Sequence, residues 1–164
     1  AVAVHACDVA DTTAYVSYDG RGGPPTVLAH DDRADIDGFV TSPSTGELEA
    51  VMITAARSEL VAVTEGGKRL QDELARVRET LDGRREDETL TVVATSRTRA
   101  DDLWVVRSDS DCEAARFYLH VPYQAQSKRR APRLLLTARH ELESLPLSPT
   151  VALFIAARDG ERLP

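Results

Sequence analysis

Residues 67–82 read Gly-Lys-Arg-Leu-Gln-Asp-Glu-Leu-Ala-Arg-Val-Arg-Glu-Thr-Leu-Asp and predict the main helix of the fold. Its aliphatic residues share one stripe of that helix and are Leu70, Leu74, Val77 and Leu81. Gly83 follows, where the chain can take the left-handed conformation that ends a helix. A stripe this narrow is typical of a helix that lies across a sheet, so we expect this helix to pack on strands.

Strand patterns surround this helix on both sides. Apolar alternation and short apolar runs predict strands at 2–7, 13–18, 26–30, 60–64, 89–95, 103–107, 115–121, 133–138 and 151–156. Residues 46–57 fit a helix or a strand, and their apolar spacing favours a short helix. The acidic run from Asp31 to Asp37 predicts a loop that ends at Gly38. The pattern predicts an α+β fold: a mostly antiparallel sheet or half-open barrel, with one main helix (about 67–82) packed on it.

The chain has 164 residues, of which 42% are hydrophobic, enough for one sizeable core. It is interpreted as a single globular domain over 1–164, either complete or excised from a longer protein. Its 20 basic and 27 acidic residues give a net charge of −7, which argues against a protein that mainly grips nucleic acid or anionic membranes. Cys7 and Cys112 are interpreted as separate reduced thiols, which favours a cytoplasmic location; the alternative is a single long-range disulfide between them.

Motifs for catalysis, metal binding and cofactor binding are absent from the sequence. His5 and Cys7 can share a strand face, but no CxxC or HxxxH spacing supplies further ligands. The glycines at 20–23 lack the spacing of a phosphate-binding loop. The sequence therefore predicts no catalytic residue, no metal site and no cofactor. The alternative is a small-ligand enzyme whose non-local active site gathers the acidic loop with two or more of His5, His30, His120 and His140.

The charged side of the predicted helix is the favoured surface for a protein partner. Arg69, Arg76 and Glu79 lie on that side, and Trp104 is either a core residue or an anchor for the partner. A basic stretch later in the chain could touch phosphates; its residues are Lys128, Arg129, Arg130 and Arg133. A solvated hairpin loop is the simpler interpretation of that stretch, because no aromatic residues that could stack on bases are interleaved with it.

The order of elements in the middle of the chain resembles a known family. Ser58–Val63 leads into Leu70–Leu74, and Leu103–Val106 precedes Leu119, as in the globular head of the centriole cartwheel protein and of DNA end-joining scaffold proteins. The similarity covers residues 35–122. It implies a helix on an antiparallel sheet within a scaffold whose heads pair with one another. The same stretch is also similar to half of a sliding-clamp domain.

These observations favour a non-enzymatic protein–protein interaction or assembly domain within a larger scaffold or complex. The resemblance adds a structural, cytoskeletal role and oligomerisation. The expected partner is another protein or a second copy of the chain, and neither nucleic acid nor a membrane is expected. The alternatives are the small-ligand enzyme described above and a nucleic-acid accessory domain that uses the basic loop at 128–133.

Overall fold

A computed structural model describes residues 2–6, 12–42, 45–81, 88–97, 102–122, 131–160 and 162–163. The strands before the helix are β1 (Val2–Ala6), β2 (Ala14–Tyr18), β3 (Thr26–Ala29), β4 (Ile36–Thr41), β5 (Leu48–Thr54) and β6 (Ser58–Ala62). The helix α1 (Glu65–Thr80) comes next. It is followed by β7 (Thr89–Arg97), β8 (Asp102–Ser110), β9 (Glu113–His120), β10 (Arg133–Thr137), a short 3₁₀ helix (His140–Ser144), β11 (Ile155–Ala156) and β12 (Arg162–Leu163).

Within each sheet, every strand pairs antiparallel with the strand before it or after it in the chain. The sheets have the orders β1-β2-β3, β4-β5-β6, β10-β9-β8-β7 and β11-β12. Such up-and-down meanders need only short connections, because each strand returns beside the one before it. With a single main helix among the described residues, this architecture confirms the predicted α+β class, and no described sheet closes into a barrel.

The chain divides into two units. Residues 1–69 and 152–164 form the first unit, which contains the two three-stranded sheets and the β11-β12 pair. Residues 70–151 form the second unit, which contains the four-stranded sheet. The unit boundary falls inside α1, after its first turn. A single folding domain over 1–164 stays a prediction.

The start of α1 is fixed by contacts with β5. The backbone oxygen of Glu49 accepts hydrogen bonds from the amides of Val63 (2.9 Å) and Thr64 (3.2 Å). Thr64 caps the helix, since its hydroxyl accepts from the amide of Gly67 at 3.4 Å. A Cβ at Gly67 would overlap the Glu49 backbone oxygen, so only glycine allows the helix to approach this closely. The predicted bounds of 67–82 were therefore two residues late at the start, and α1 ends at Thr80.

The largest difference between the predicted and the observed secondary structure lies at residues 46–57. They were expected to form a short helix, yet Leu48–Thr54 is the central strand β5, paired with β4 on one side and β6 on the other. A central strand that is buried on both faces carries a continuous apolar run, and such a run imitates helical spacing over a few residues.

Other predicted boundaries also differ from the structure. β4 already begins at Ile36, so Asp37 and Gly38 belong to a strand rather than to the acidic loop. The strand predicted at 60–64 is β6, at Ser58–Ala62. In the strand predicted at 151–156, only Ile155–Ala156 is paired.

Buried aliphatic and aromatic side chains fill the core of each unit. In the first unit, Tyr15, Ile36, Leu48, Val51 and Ile53 form one cluster. In the second unit, the predicted stripe of α1 is buried at Leu70, Leu74 and Val77, while β8 contributes Val106. The helical periodicity therefore identified the buried face of α1 correctly. None of the helices in the described part of the chain is long and apolar enough to cross a membrane.

Candidate functional site

A cleft of about 360 Å³ opens in the first unit beside β3, β5 and β6. Its walls are mainly aliphatic, and two polar residues, His30 and Asp31, stand in its lining. The aliphatic residues are Val27, Leu28, Ala29, Val51, Ile53, Val61, Ala62 and Val63. An apolar cleft with a few polar groups is the usual form of a small-ligand site. The contacts of its polar residues therefore bear on the enzyme hypothesis.

His30 links a hydroxyl and a carboxylate beside this cleft. Its Nε2 lies 2.9 Å from Oγ1 of Thr12, and its Nδ1 lies 3.4 Å from Oδ1 of Asp32. The order hydroxyl, imidazole and carboxylate is that of a nucleophilic triad. No local sequence pattern connects Thr12 with His30, because the two residues are 18 positions apart.

The hydrogen-bond directions do not suit nucleophilic catalysis. Oγ1 of Thr12 lies 2.5 Å from the backbone oxygen of Asp31. A carbonyl oxygen only accepts, so the single hydroxyl proton is donated to Asp31, and the hydroxyl in turn accepts from Nε2 of His30. A general base must instead receive the nucleophile's proton. In this arrangement the three groups tie the loop at 30–32 to Thr12.

The acidic loop is held by its own internal bonds. Asp31 accepts from the backbone amide of Arg33 at 2.8 Å and from its guanidinium at 3.0 Å. The guanidinium bond, followed by the backbone bond, lowers the pKa of Asp31, and the same ion pair raises the pKa of Arg33. Arg33 also reaches Glu59 on β6 at 3.3 Å, and Asp35 accepts from the amide of Thr13 at 2.6 Å. Among the described residues, no three metal-ligating side chains cluster together.

The second unit contains a buried polar pair. Oε1 of Glu73 on α1 lies 2.7 Å from Nε2 of His120 on β9, and both side chains are more than nine-tenths buried. Oε2 of Glu73 accepts from the guanidinium of Arg76 at 2.7 Å. The ring of Trp104 stands edge-on to that of His120, with centroids 6.1 Å apart. The contacts join α1 to β8 and β9.

The residues predicted to bind a protein partner have different positions. Arg69, Arg76 and Glu79 are exposed on α1, as expected. Arg76 is engaged with Glu73. Trp104 is only 7% exposed, so the core interpretation of Trp104 applies and its use as a partner anchor has to be corrected. A buried indole fills the interior of its own unit and presents no surface to another protein.

Three of the four histidine side chains are described, and each has its own contacts. His30 belongs to the acidic loop and His120 to the buried pair, while His140 is exposed at the start of the 3₁₀ helix, 3.6 Å from Glu141. The side chain of His5 lies outside the described residues. Within the second unit, His120 and His140 share no partner in the described structure. Among the described side chains of the first unit, His30 lies with the acidic loop. The enzyme alternative requires at least two histidines there and stays a prediction.

The basic stretch is only partly described. Lys128, Arg129 and Arg130 lie outside the described residues, so their role as nucleic-acid contacts stays a prediction. Arg133 is the first residue of β10 and is exposed. Cys112 is a free, partly buried thiol in the turn between β8 and β9, and Cys7 lies outside the described part of the chain.

An exposed aliphatic surface was missed by sequence reasoning. Leu134, Leu135 and Leu136 on β10 are 51%, 43% and 53% exposed. A second group of exposed apolar side chains follows in the chain and comprises Val151, Leu153, Phe154 and Ile155. The apolar runs predicted strands at both places, without a prediction that these side chains are exposed. In the run at 133–138, apolar and polar residues do not alternate. The absence of alternation is typical of a strand whose two faces are both covered by other residues.

Comparison with known proteins finds a distant partial relative. The chain is 29% identical over 153 residues to the dipeptidyl aminopeptidase BIII of Pseudoxanthomonas mexicana. The aligned region is 93% of this chain but 20% of that protein, so the chain spans about a fifth of the length of the curated relative it matches. No family model matches the sequence, and no solved structure matches it.

Proposed function

We propose that this chain is a non-catalytic protein-interaction segment that works within a larger protein or assembly. The observation that carries the proposal is the exposed aliphatic strand β10, where three successive leucines are each about half exposed. Several half-exposed apolar side chains in one strand, unlike single ones scattered over a surface, are typical of a place where a partner binds. A cytoplasmic location belongs to the same proposal and rests on the two cysteines far apart in the sequence.

The partial similarity to a dipeptidyl aminopeptidase bears only on the proposal that the chain works within a larger protein. Almost the whole chain aligns with one fifth of a much longer protein, as expected for an accessory segment of a peptidase-like protein. Consecutive antiparallel meanders of three and four strands also suit such a segment, because repeated meanders stack into larger β architectures.

The second candidate function is hydrolysis at the cleft of the first unit. The contacts that link Thr12, His30 and Asp32 favour it, because they resemble a catalytic triad. The geometry argues against it, because the Thr12 hydroxyl donates its proton to the backbone oxygen of Asp31. We therefore assign these residues to the stability of the loop at 30–32.

Two measurements on the purified chain separate these functions. The first is static light scattering over a wide concentration range, alone and with extended peptides. We expect the chain to bind a peptide, and we expect this binding to weaken when Leu134 and Leu136 are both changed to lysine. The second is release of a chromophore from a dipeptide anilide, where we expect no turnover in the wild-type chain. A monomer that binds no peptide would remove the interaction proposal, and turnover that is lost in Thr12→Ala would establish the enzyme instead.

A further inference from the structure

β10 has a strand partner on one side only within the described structure. It pairs antiparallel with β9, with Arg133 opposite Leu119, Leu134 opposite Tyr118 and Leu136 opposite Phe117. In the sheet order β10-β9-β8-β7 it is an edge strand. Its outer edge therefore presents backbone N–H and C=O groups to which a further strand can bind.

The side chains of β10 are uncovered on both faces of the sheet. A register shift lies between Leu134 and Leu136, so Leu135 is the extra residue of a bulge. Three successive residues of a strand cannot all point to one face, even with a bulge. Because all three leucines are about half exposed, a partner that only paired with the edge would leave aliphatic area in water. The occupant must add its own aliphatic side chains.

Positive charge brackets these leucines. Arg133 precedes them and Arg139 follows, and both are exposed. Neither forms an ion pair with any residue that the structure describes, whereas Arg116 on the neighbouring strand β9 contacts both Glu113 and Glu143. An aliphatic centre between two unpaired cations is complementary to an extended segment that is aliphatic in the middle and acidic at its ends.

We propose that β10 binds an extended segment of a separate protein partner by strand addition, and that this segment is aliphatic at its centre and acidic at both ends. The inference rests on the proposed interaction function and names its surface and its partner chemistry. Backbone pairing along β10 supplies affinity, and the two arginines select the charge of the partner and its register.

A second copy of the chain suits this edge less well. An antiparallel β10–β10 pair that sets the leucines against one another brings Arg133 of one copy opposite Thr137 of the other, where the strand ends and the turn with Arg139 begins. Like charges close to each other across two strands are destabilising. The same charges are favourable when the added strand ends in Glu or Asp, so charge distinguishes between the two occupants.

The test uses three labelled synthetic peptides with the same valine and isoleucine centre, carrying glutamates, lysines or serines at both ends. Fluorescence anisotropy with the whole chain should show at least about tenfold tighter binding of the glutamate peptide, with the preference falling as salt is added. The double variant Arg133→Glu, Arg139→Glu should reverse the preference towards the lysine peptide. Arg21→Glu, the same charge change in the exposed turn after β2, is the matched control and should leave binding unchanged. Arg69→Glu tests the competing surface on α1.

The double variant Leu134→Lys, Leu136→Lys should bind the glutamate peptide at least about tenfold more weakly than the wild-type chain does. Its thermal unfolding midpoint should not change, because both side chains are exposed. Equal binding of the three peptides, or self-association through these leucines, would overturn the acidic partner and leave an interaction domain. Loss of binding in Arg69→Glu alone would move the site to α1. A monomer that binds none of the peptides would overturn the proposed function as well.

Discussion

Glu73 on α1 and His120 on β9 form a buried hydrogen-bonded pair, with Oε1 and Nε2 2.7 Å apart. They are 47 positions apart in the chain and lie in the same structural unit. Oε2 of Glu73 binds Arg76, which reaches the surface. A polar contact therefore holds α1 to its sheet, in addition to the aliphatic stripe.

Removing one member of this pair should destabilise the chain strongly. Glu73→Ala leaves the ring of His120 buried without its partner, and we expect a loss of about 3 kcal/mol in the free energy of unfolding. Glu79→Ala removes an exposed carboxylate from the same helix and should cost less than about 0.5 kcal/mol. Chemical denaturation of both variants measures the difference, and equal losses would show that Glu73 is not specially coupled to β9.

The close approach of α1 to β5 gives a second prediction. Gly67→Ala places a Cβ against the backbone oxygen of Glu49 and 3.1 Å from Cα of Ala62. Backbone atoms cannot swing aside, so the helix start must move, and we expect a loss of about 2 kcal/mol or more.

Gly66→Ala is the matched control for this helix start. Its Cβ would meet the side chain of Glu49, which can shift, and alanine has the higher helix propensity by about 1 kcal/mol. We expect little net change in the unfolding free energy. If thermal unfolding found both alanine variants equally stable, the tight contact between Gly67 and β5 would be refuted.

Much of α1 could be predicted from the sequence, because Leu70, Leu74 and Val77 repeat with the period of the helix itself. The partner of Glu73 could not be predicted, since no periodicity relates residues on α1 and β9. A signal was nevertheless present: Glu73 stands three positions after Leu70, within the apolar stripe, where an acidic residue needs a buried partner.

The strands show where local patterns stop being informative. The sequence of β5 predicted a helix because this buried strand lacks the alternation of apolar and polar residues that half-exposed strands show. For β10 the apolar run was recognised as a strand, but its exposure depends on what covers the sheet, which no local pattern contains. The resemblance to scaffold heads stays a prediction.

The loop at 30–33 should give a pH-dependent contribution to stability. The bonds from Arg33 lower the pKa of Asp31 below its ordinary value of 3.8, so the unfolded chain takes up this proton at a higher pH than the folded chain does. The contribution is complete above the unfolded pKa and is lost as the pH falls through the folded one. Because the site is near the surface, it should not exceed about 1 kcal/mol.

Asp31→Asn tests that contribution. The variant should be less stable than wild type at neutral pH, and the difference should shrink below about pH 4. Asp37→Asn makes the same charge change at an exposed position of β4. Urea unfolding at a series of pH values compares the two, and a difference for Asp31→Asn that stays constant down to the lowest pH would contradict the role of the carboxylate.

Hydrogen–deuterium exchange with the glutamate-ended peptide tests most directly whether β10 is the interaction surface. The account predicts that added peptide slows amide exchange at residues 133–137, that α1 exchanges as before, and that Leu134→Lys, Leu136→Lys abolishes the protection. Protection confined to α1, or no protection anywhere in the chain, would contradict it.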